Sequence, residues 1–250
     1  MKKVILFVFL LIILSSLAAE DYLDINFFID PQFEHSQVNM INFLVKNIRN
    51  DTVRQVNAFA GRLLKEPQSD SLTVYFINTL KPEIVSPEDY YFFDKTIDND
   101  LLISNIESDS IHIIKNKIIV CDSFKVGIFS IYTPDFTVKN NTAEHAKLYT
   151  DVFGIAKEQV LFLAPKTDYI IMLSNLSKYI DNDIVKNLDV DAVVSFDYQK
   201  KKNESLSNLI TKFYSILTGD GSYGKLHLKY QNGKIRERWE KVNFNIPGSN

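Results

Sequence analysis

Two aspartates stand where β-rich runs give way to loops: Asp30, directly after Leu23 to Ile29, and Asp197, just past Ala192 to Ser195. Carboxylates at such places could serve as an acid and base pair, although sequence sets neither their separation nor their proton affinity. His35 follows Asp30 closely with Glu34 beside it, so Asp30, His35 and Asp197 are an alternative ligand set for one divalent ion such as manganese or zinc. The bland reading of the same residues is solvated surface, because a histidine beside loop carboxylates is more often that than a ligand. His112 on an alternating strand pattern, His145 on a helical stretch after Glu144 and His227 on a hairpin strand read as surface or half-buried side chains. Cys121 is the one cysteine of the chain. It closes an apolar strand pattern with no base nearby, so it reads as a buried, inert thiol, and no internal disulfide can form. No Gly-x-Ser-x-Gly elbow or Ser-His-Asp arrangement can be proposed.

The net charge of -3 is spread without long runs and leaves no electrostatic footprint for nucleic acid. The cluster Lys200, Lys201 and Lys202 reads as a solvated loop. At the amino terminus, Lys2 and Lys3 precede an apolar run from Val4 to Leu14, followed by Ser15, Ser16, Leu17, Ala18 and Ala19. A positive start, a short apolar run and small residues have the form of a signal peptide over 1–19, cleaved after Ala18 or Ala19. The run falls short of the ~20 apolar residues that span a bilayer, which counts against a retained anchor. The expected mature chain, residues 20–250, is one domain, secreted or periplasmic, with no later membrane segment.

The elements that would position these groups alternate between strand and helix. Leu23 to Ile29 reads as a buried strand that empties into the Asp30-Pro31 loop. Two helical stripes follow, one through Val38, Ile41, Leu44, Val45 and Ile48, the other through Val53, Val56, Phe59, Ala60, Leu63 and Leu64. Leu72 to Ile77 reads as the next strand, and Ser86-Pro87-Glu88-Asp89 as a helix start with hydroxyl cap and first-turn proline. After Leu101 to Ile106, the runs Ile111 to Val120 and Lys125 to Ile131 are close enough to pair as a hairpin. Helical pattern covers Ala143 to Leu163 with a break near Gly154. Tyr169 to Leu173 and Ala192 to Ser195 have a helix between them, as parallel strands joined by a crossover do. The tail holds Phe213 to Leu217, Gly224 to Tyr230 and Ile235 to Phe244, with a hairpin turn at Asn232-Gly233.

Five segments in this order resemble one family. Lys125-Val126-Gly127-Ile128-Phe129-Ser130-Ile131-Tyr132-Thr133-Pro134-Asp135 is similar to a strand written K-V-G-I-I-G-L-T-T-P-D, and Leu101 to Ile106 to L-L-S-A-N-I. Asp168 to Asn175 resembles D-x-I-I-x-L-S-H, and Val190 to Gln199 resembles I-D-x-I-I-x-G-H-x-H. Gly221-Ser222-Tyr223-Gly224-Lys225-Leu226 followed by Asn232-Gly233-Lys234 is similar to G-x-Y-G-K-x-L-G-x-L. These are the motifs of the calcineurin-like metallophosphoesterase domain of 5'-nucleotidases, and the likeness covers essentially the whole mature chain. It implies an α/β fold with two mixed β-sheets sandwiched by helices, α-β-β-α.

The family's chemistry is two-metal phosphoester hydrolysis, which needs carboxylates, imidazoles and an amide at strand ends around ions ~3.5–4 Å apart. Carried onto this chain, the D-x-H pair falls on Asp30 and Gln32, and the bridging aspartate of the G-D motif on Ile77-Asn78. The G-N-H-E asparagine and histidine find no counterpart, the L-S-H histidine is Asn175, and the two histidines of G-H-x-H are Asp197 and Gln199. Phe196 replaces a glycine, which crowds backbone that a phosphate must approach. The resemblance therefore implies a pseudoenzyme with no metal and no cofactor, kept as a binding or structural module for an unidentified protein or small ligand. The alternative is a divergent phosphohydrolase with one metal at Asp30, His35 and Asp197. A third reading is a subunit docking through the old substrate cleft, which an apolar patch near Phe196 and Tyr198 would favour. The carboxy-terminal domain with which full-length members stack a nucleobase has no counterpart here, so nucleoside selectivity of that kind is not expected.

Overall fold

The computed structural model describes residues 20–29, 53–61, 78–79, 81–87, 100–109, 112–133, 146–196, 212–215 and 222–243. Its first strand, β1 (Asp21–Ile29), sends Leu23, Ile25, Phe27 and Ile29 into the core, while Asp24, Asn26 and Phe28 face the other way. This is the period-2 alternation of a pleated chain buried on both faces. The next element, β2 (Arg54–Gly61), lies parallel to β1. It corrects the helix expected from Val53 to Leu64. With both faces buried, Val56, Ala58 and Ala60 serve one side and Asn57 and Phe59 the other, so the apolar residues fit helical spacing equally well. Gly61 ends the strand at a φ of 80°, open to glycine at little cost.

A second correction concerns Ser86. The expected helix cap is instead part of β3 (Ile84–Pro87), parallel to β2 and buried throughout. Proline is tolerated there because the strand ends with it. β4 (Leu101–Leu102) follows, then a turn into β5 (Ile106–Ser108). The run expected as one strand from Ile111 to Val120 bends at Lys115, giving β6 (Ile113–Ile114) beside β4 and β7 (Asn116–Val120). The hairpin of β7 with β8 (Lys125–Ile131) is present as expected.

The expected helix from Ala143 begins later. Ala146–Leu148 forms β9 against β5, and α1 spans Val152–Leu163. Gly154 lies in its first turn, where the Asp151 carboxylate accepts from the Gly154 amide at 2.9 Å. The helix thus starts at a cap and is not broken by the glycine. The crossover is as expected: β10 (Tyr169–Ser174), α2 (Lys178–Asn187) and a parallel β11 (Ala192–Ser195). β12 (Lys212–Ser215), β13 (Ser222–Gln231) and β14 (Lys234–Asn243) are the last of the described elements. Asn232 and Gly233 turn the last hairpin with φ of 54° and 74°, as a two-residue turn of this hand requires. The helix expected over Val38 to Ile48 and the strand expected over Leu72 to Ile77 lie outside the described residues.

The strands form two mixed sheets, ordered β14-β13-β1-β2-β3-β4-β6 and β12-β11-β10-β8-β7, with β5-β9 as a separate pair. Leu23, Ile25 and Phe27 of the first meet Val126, Ile128, Ile171, Leu173 and Val194 of the second in one core. On the far side of the five-stranded sheet, Phe129, Ile170, Met172 and Val193 pack against Ala156, Val160 and Leu163 of α1 and Ile184 and Val185 of α2.

An ionisable group sits in this inner layer. Glu237 of β14 lies between Ile235 and Trp239 on the core face and accepts a hydrogen bond from the Tyr169 hydroxyl of β10. Burial raises its pKa above the ordinary carboxylate value. A raised folded-state pKa favours the fold while the group is protonated, and that contribution is lost as pH rises through it. Glu237→Gln, whose amide oxygen still accepts from Tyr169, is therefore expected to raise Tm at pH 7. The advantage should vanish below about pH 4, where the native carboxyl is itself neutral. Thermal scans of both proteins from pH 3 to pH 8 check this; a gap that widened toward acid would contradict it.

Candidate functional site

Parallel strands of the two sheets end at one rim of the sandwich: β1 at Ile29, β2 at Gly61 and β3 at Pro87, with β8 at Ile131, β10 at Ser174 and β11 at Ser195. The register fixes the second group at one level, since Ile131, Ser174 and Ser195 stand side by side. The next residues, Tyr132, Asn175 and Phe196, form the rim. Its backbone is closed by the Asn175 amide donating to the Ile131 carbonyl at 3.4 Å and the Phe196 amide to that of Ser174 at 3.0 Å.

Asn175, the residue in the histidine position, is buried, and its Oδ1 accepts from the Thr133 amide at 2.5 Å. Its amide oxygen is thus engaged by the chain that follows β8. Just below, the Ser174 hydroxyl donates to Asp181 Oδ1 at 2.7 Å and accepts from the Leu176 amide at 3.0 Å. Asp181 is fully buried in the first turn of α2, so this carboxylate serves the strand-to-helix turn rather than the rim.

Between the sheets lies a seam of hydroxyls and amides. Tyr132 is fully buried; its hydroxyl donates to the Ser86 carbonyl at 2.6 Å and lies 3.2 Å from Ser86 Oγ, which is 2.6 Å from Ser130 Oγ. β3 of one sheet is thereby fastened to β8 of the other. Asn105 holds the same tyrosine by its backbone, accepting from the Tyr132 amide at 3.0 Å and donating to its carbonyl at 2.8 Å. A second donation runs to the Tyr149 carbonyl at 3.3 Å. The Tyr132 ring meets Phe196 with centroids 5.9 Å apart and planes tilted by 56°.

The sequence reading missed Tyr132, Ser86 and Asn105 as members of this site. Signals for the seam stood in the strand motif, where Ser130 replaces a glycine and Tyr132 a threonine of the family pattern. Of the expected site residues, the structure brings Asn175 to the rim and places Asn78, exposed, in a helical turn with Thr79. Asp30, Gln32, His35, Asp197 and Gln199 lie outside the described residues, as do His145, Tyr198 and Lys200 to Lys202. The second strand of the parallel set is β2, which ends at Gly61 with Arg62 next in sequence. Phe196 is buried in the core beside Tyr132, so it adds nothing to an exposed apolar patch. Among the described residues no group of three or more histidine, cysteine or acidic side chains could hold a metal ion.

Elsewhere the titratable groups serve structure. The Cys121 thiol is buried and its pKa is pushed up to about 11 by that burial, leaving it un-ionised at neutral pH. His112 is exposed beside Asp100. His227 is half-buried, with Nδ1 2.7 Å from Asp24 Oδ1, and Nε2 3.0 Å from Glu240 Oε1 but outside hydrogen-bonding geometry.

No family model and no curated protein matches the chain. Solved structures do. The 5'-nucleotidase precursor of Thermus thermophilus superposes with a TM-score of 0.68 at 14% identity, over 90% of this chain and 54% of that one. The NAD nucleotidase of Haemophilus influenzae gives 0.64 at 15% identity, over 90% and 55%. A phosphatase of Mycoplasma pneumoniae gives 0.59 at 8% identity, over 90% and 94%. The chain spans about half the length of the two nucleotidases. Strand order, mixed sheets and these superpositions together give the chain the calcineurin-like metallophosphoesterase fold of the 5'-nucleotidases.

Proposed function

We propose that this chain is an exported 5'-nucleotidase-like protein whose dinuclear metal centre has been lost, serving as a binding or structural module for a protein or small ligand. The observation that carries the reading is Asn175. Where hydrolysis needs an imidazole, an amide stands with its oxygen already bonded to Thr133. The neighbouring space is taken by the Tyr132 and Phe196 rings. At the position where the resemblance puts the bridging carboxylate, Asn78 is a neutral amide, which supplies no charge to hold two cations together. These residues do not fit two divalent ions, which repel each other and need anionic donors between them.

Export is supported by the leader-like first 19 residues. One structural neighbour is itself described as a precursor.

The test is phosphate release from AMP and from a generic phosphodiester, with manganese or zinc and again with EDTA, beside thermal scans under the same conditions. The expected result is no turnover and no change in Tm. A functional metal site at a hundred times its dissociation constant would add about 2.7 kcal/mol of stability, a readily measured rise. Metal-dependent turnover lost in Asp30→Ala would overturn the reading and establish the single-metal hydrolase of Asp30, His35 and Asp197.

A further inference from the structure

We infer that β14 is a docking edge for a second copy of this chain, joined to it antiparallel across a twofold axis at Trp239. Among the described residues the seven-stranded sheet ends at β14. Its 10 residues pair with β13 in unbroken register, from Lys234 opposite Gln231 to Asn243 opposite Ser222, with no bulge and no proline. The same sheet's other edge, β6, has 2 residues, and the edges of the five-stranded sheet, β12 and β7, have 4 and 5. A long edge is a template for another strand, and proteins that keep one bare blunt it with prolines, bulges or inward-pointing charges. Glu237 points inward here, but it is engaged by the Tyr169 hydroxyl of the other sheet and so serves the core.

Backbone geometry limits how a second copy can arrive. Gln231 and Lys234 close a two-residue turn, where such a pair exchanges both hydrogen bonds, and bonded pairs alternate from there. The even-numbered residues of β14 thus bond to β13, while odd-numbered ones such as Ile235, Glu237 and Trp239 aim their amides and carbonyls away from it. A twofold axis normal to the sheet keeps both cores on one side, so each residue meets one of its own parity.

Charge then selects among those registers. With the axis at Trp239, Arg238 of each copy lies opposite Glu240 of the other, and this attraction is made twice. An axis at Arg238 or at Glu240 would set like charges face to face. The side chains of Arg238 and Glu240 are 70% and 38% exposed, and the ion pair that joins them within the strand, at 3.4 Å, can be shared across the edge. On the inner face, Trp239 is half-buried and stacked on Tyr214 of β12 with centroids 4.5 Å apart. At the axis it meets its own copy, which covers the part of the ring that water still reaches. Trp239 stands level with Leu226 and Ile25, midway along β1, so docking takes place at the side of the sandwich and not at its rim.

Sedimentation of the chain, as its expression host processes it, over a range of concentrations tests this. The parent is expected to form a reversible dimer. Arg238→Glu and Glu240→Arg should each weaken association about tenfold or more, because each sets like charges opposite one another in two places. The double variant Arg238→Glu with Glu240→Arg restores opposite charges and should regain most of the parent's affinity. It carries both substitutions, so its recovery also shows that neither one acts by unfolding β14. A parent that stays monomeric, single variants that associate as the parent does, or a double variant no tighter than the single ones would each overturn the inference.

Discussion

Tyr132→Ala is expected to lower the unfolding free energy by about 3–5 kcal/mol, and Tyr132→Phe by about 1–3 kcal/mol. The ring is fully buried against Phe196, so truncation to alanine leaves a cavity between two sheets that are held rigid by their own hydrogen bonds. The phenylalanine variant keeps the ring and removes only the hydroxyl, which donates to the Ser86 carbonyl at 2.6 Å. That carbonyl and Ser86 Oγ then lose a partner where water does not readily reach, and leaving a buried polar group unmatched costs more than an average hydrogen bond contributes. Urea unfolding of the three proteins measures both effects. A phenylalanine variant as stable as the parent would show that the hydroxyl seam does not fasten the sheets.

The second large effect lies on the outer face of the seven-stranded sheet. There the register lines up Arg238, His227, Asp24 and Gln55 across four strands, and Glu240, Lys225, Asn26 and Asn57 in the next row. Asp24 holds both His227, at 2.7 Å, and the Lys225 ammonium, at 3.3 Å. Its side chain is 8% exposed and that of Lys225 12%. Asp24→Ala takes the carboxylate from a cation that is largely out of water, a change that costs about 3–5 kcal/mol where burial is complete and is expected at the lower end here. The double variant Asp24→Ala with Lys225→Met should recover much of the loss, since an apolar pair suits the site better than an ammonium deprived of the Asp24 carboxylate. A double variant no better than Asp24→Ala would mean that the carboxylate acts through His227 or the backbone instead.

The parts of the fold legible in sequence were those where one periodicity excludes the other. β1, β8, β10 and β11 are short, β-rich and bounded by turn residues, and the Asn232-Gly233 hairpin carries its own chemistry. β2 and β3 were misread because burial on both faces erases the alternation that marks a strand, and because Ser86-Pro87 satisfies the rules for a helix cap and for a strand end alike. At the site, the asparagine where the resemblance sets a histidine, Asn175, was readable from the flanking L-S motif. What replaced it was not: a serine and a tyrosine in a strand motif do not say that their hydroxyls will reach Ser86, a residue remote in sequence on another sheet.

The amino-acid sequence by itself determined the fold class and which residue types stand at the strand ends, because motif order and residue type are local properties of the chain. Only the tertiary structure decided how the rim is held. Hydrogen bonds such as Thr133 to Asn175, between the ends of neighbouring strands of one sheet, and Tyr132 to Ser86, between the two sheets, join residues distant in the chain. Distance in space, which no spacing along the chain encodes, is what turns an amide and a phenol into the fastening of the fold.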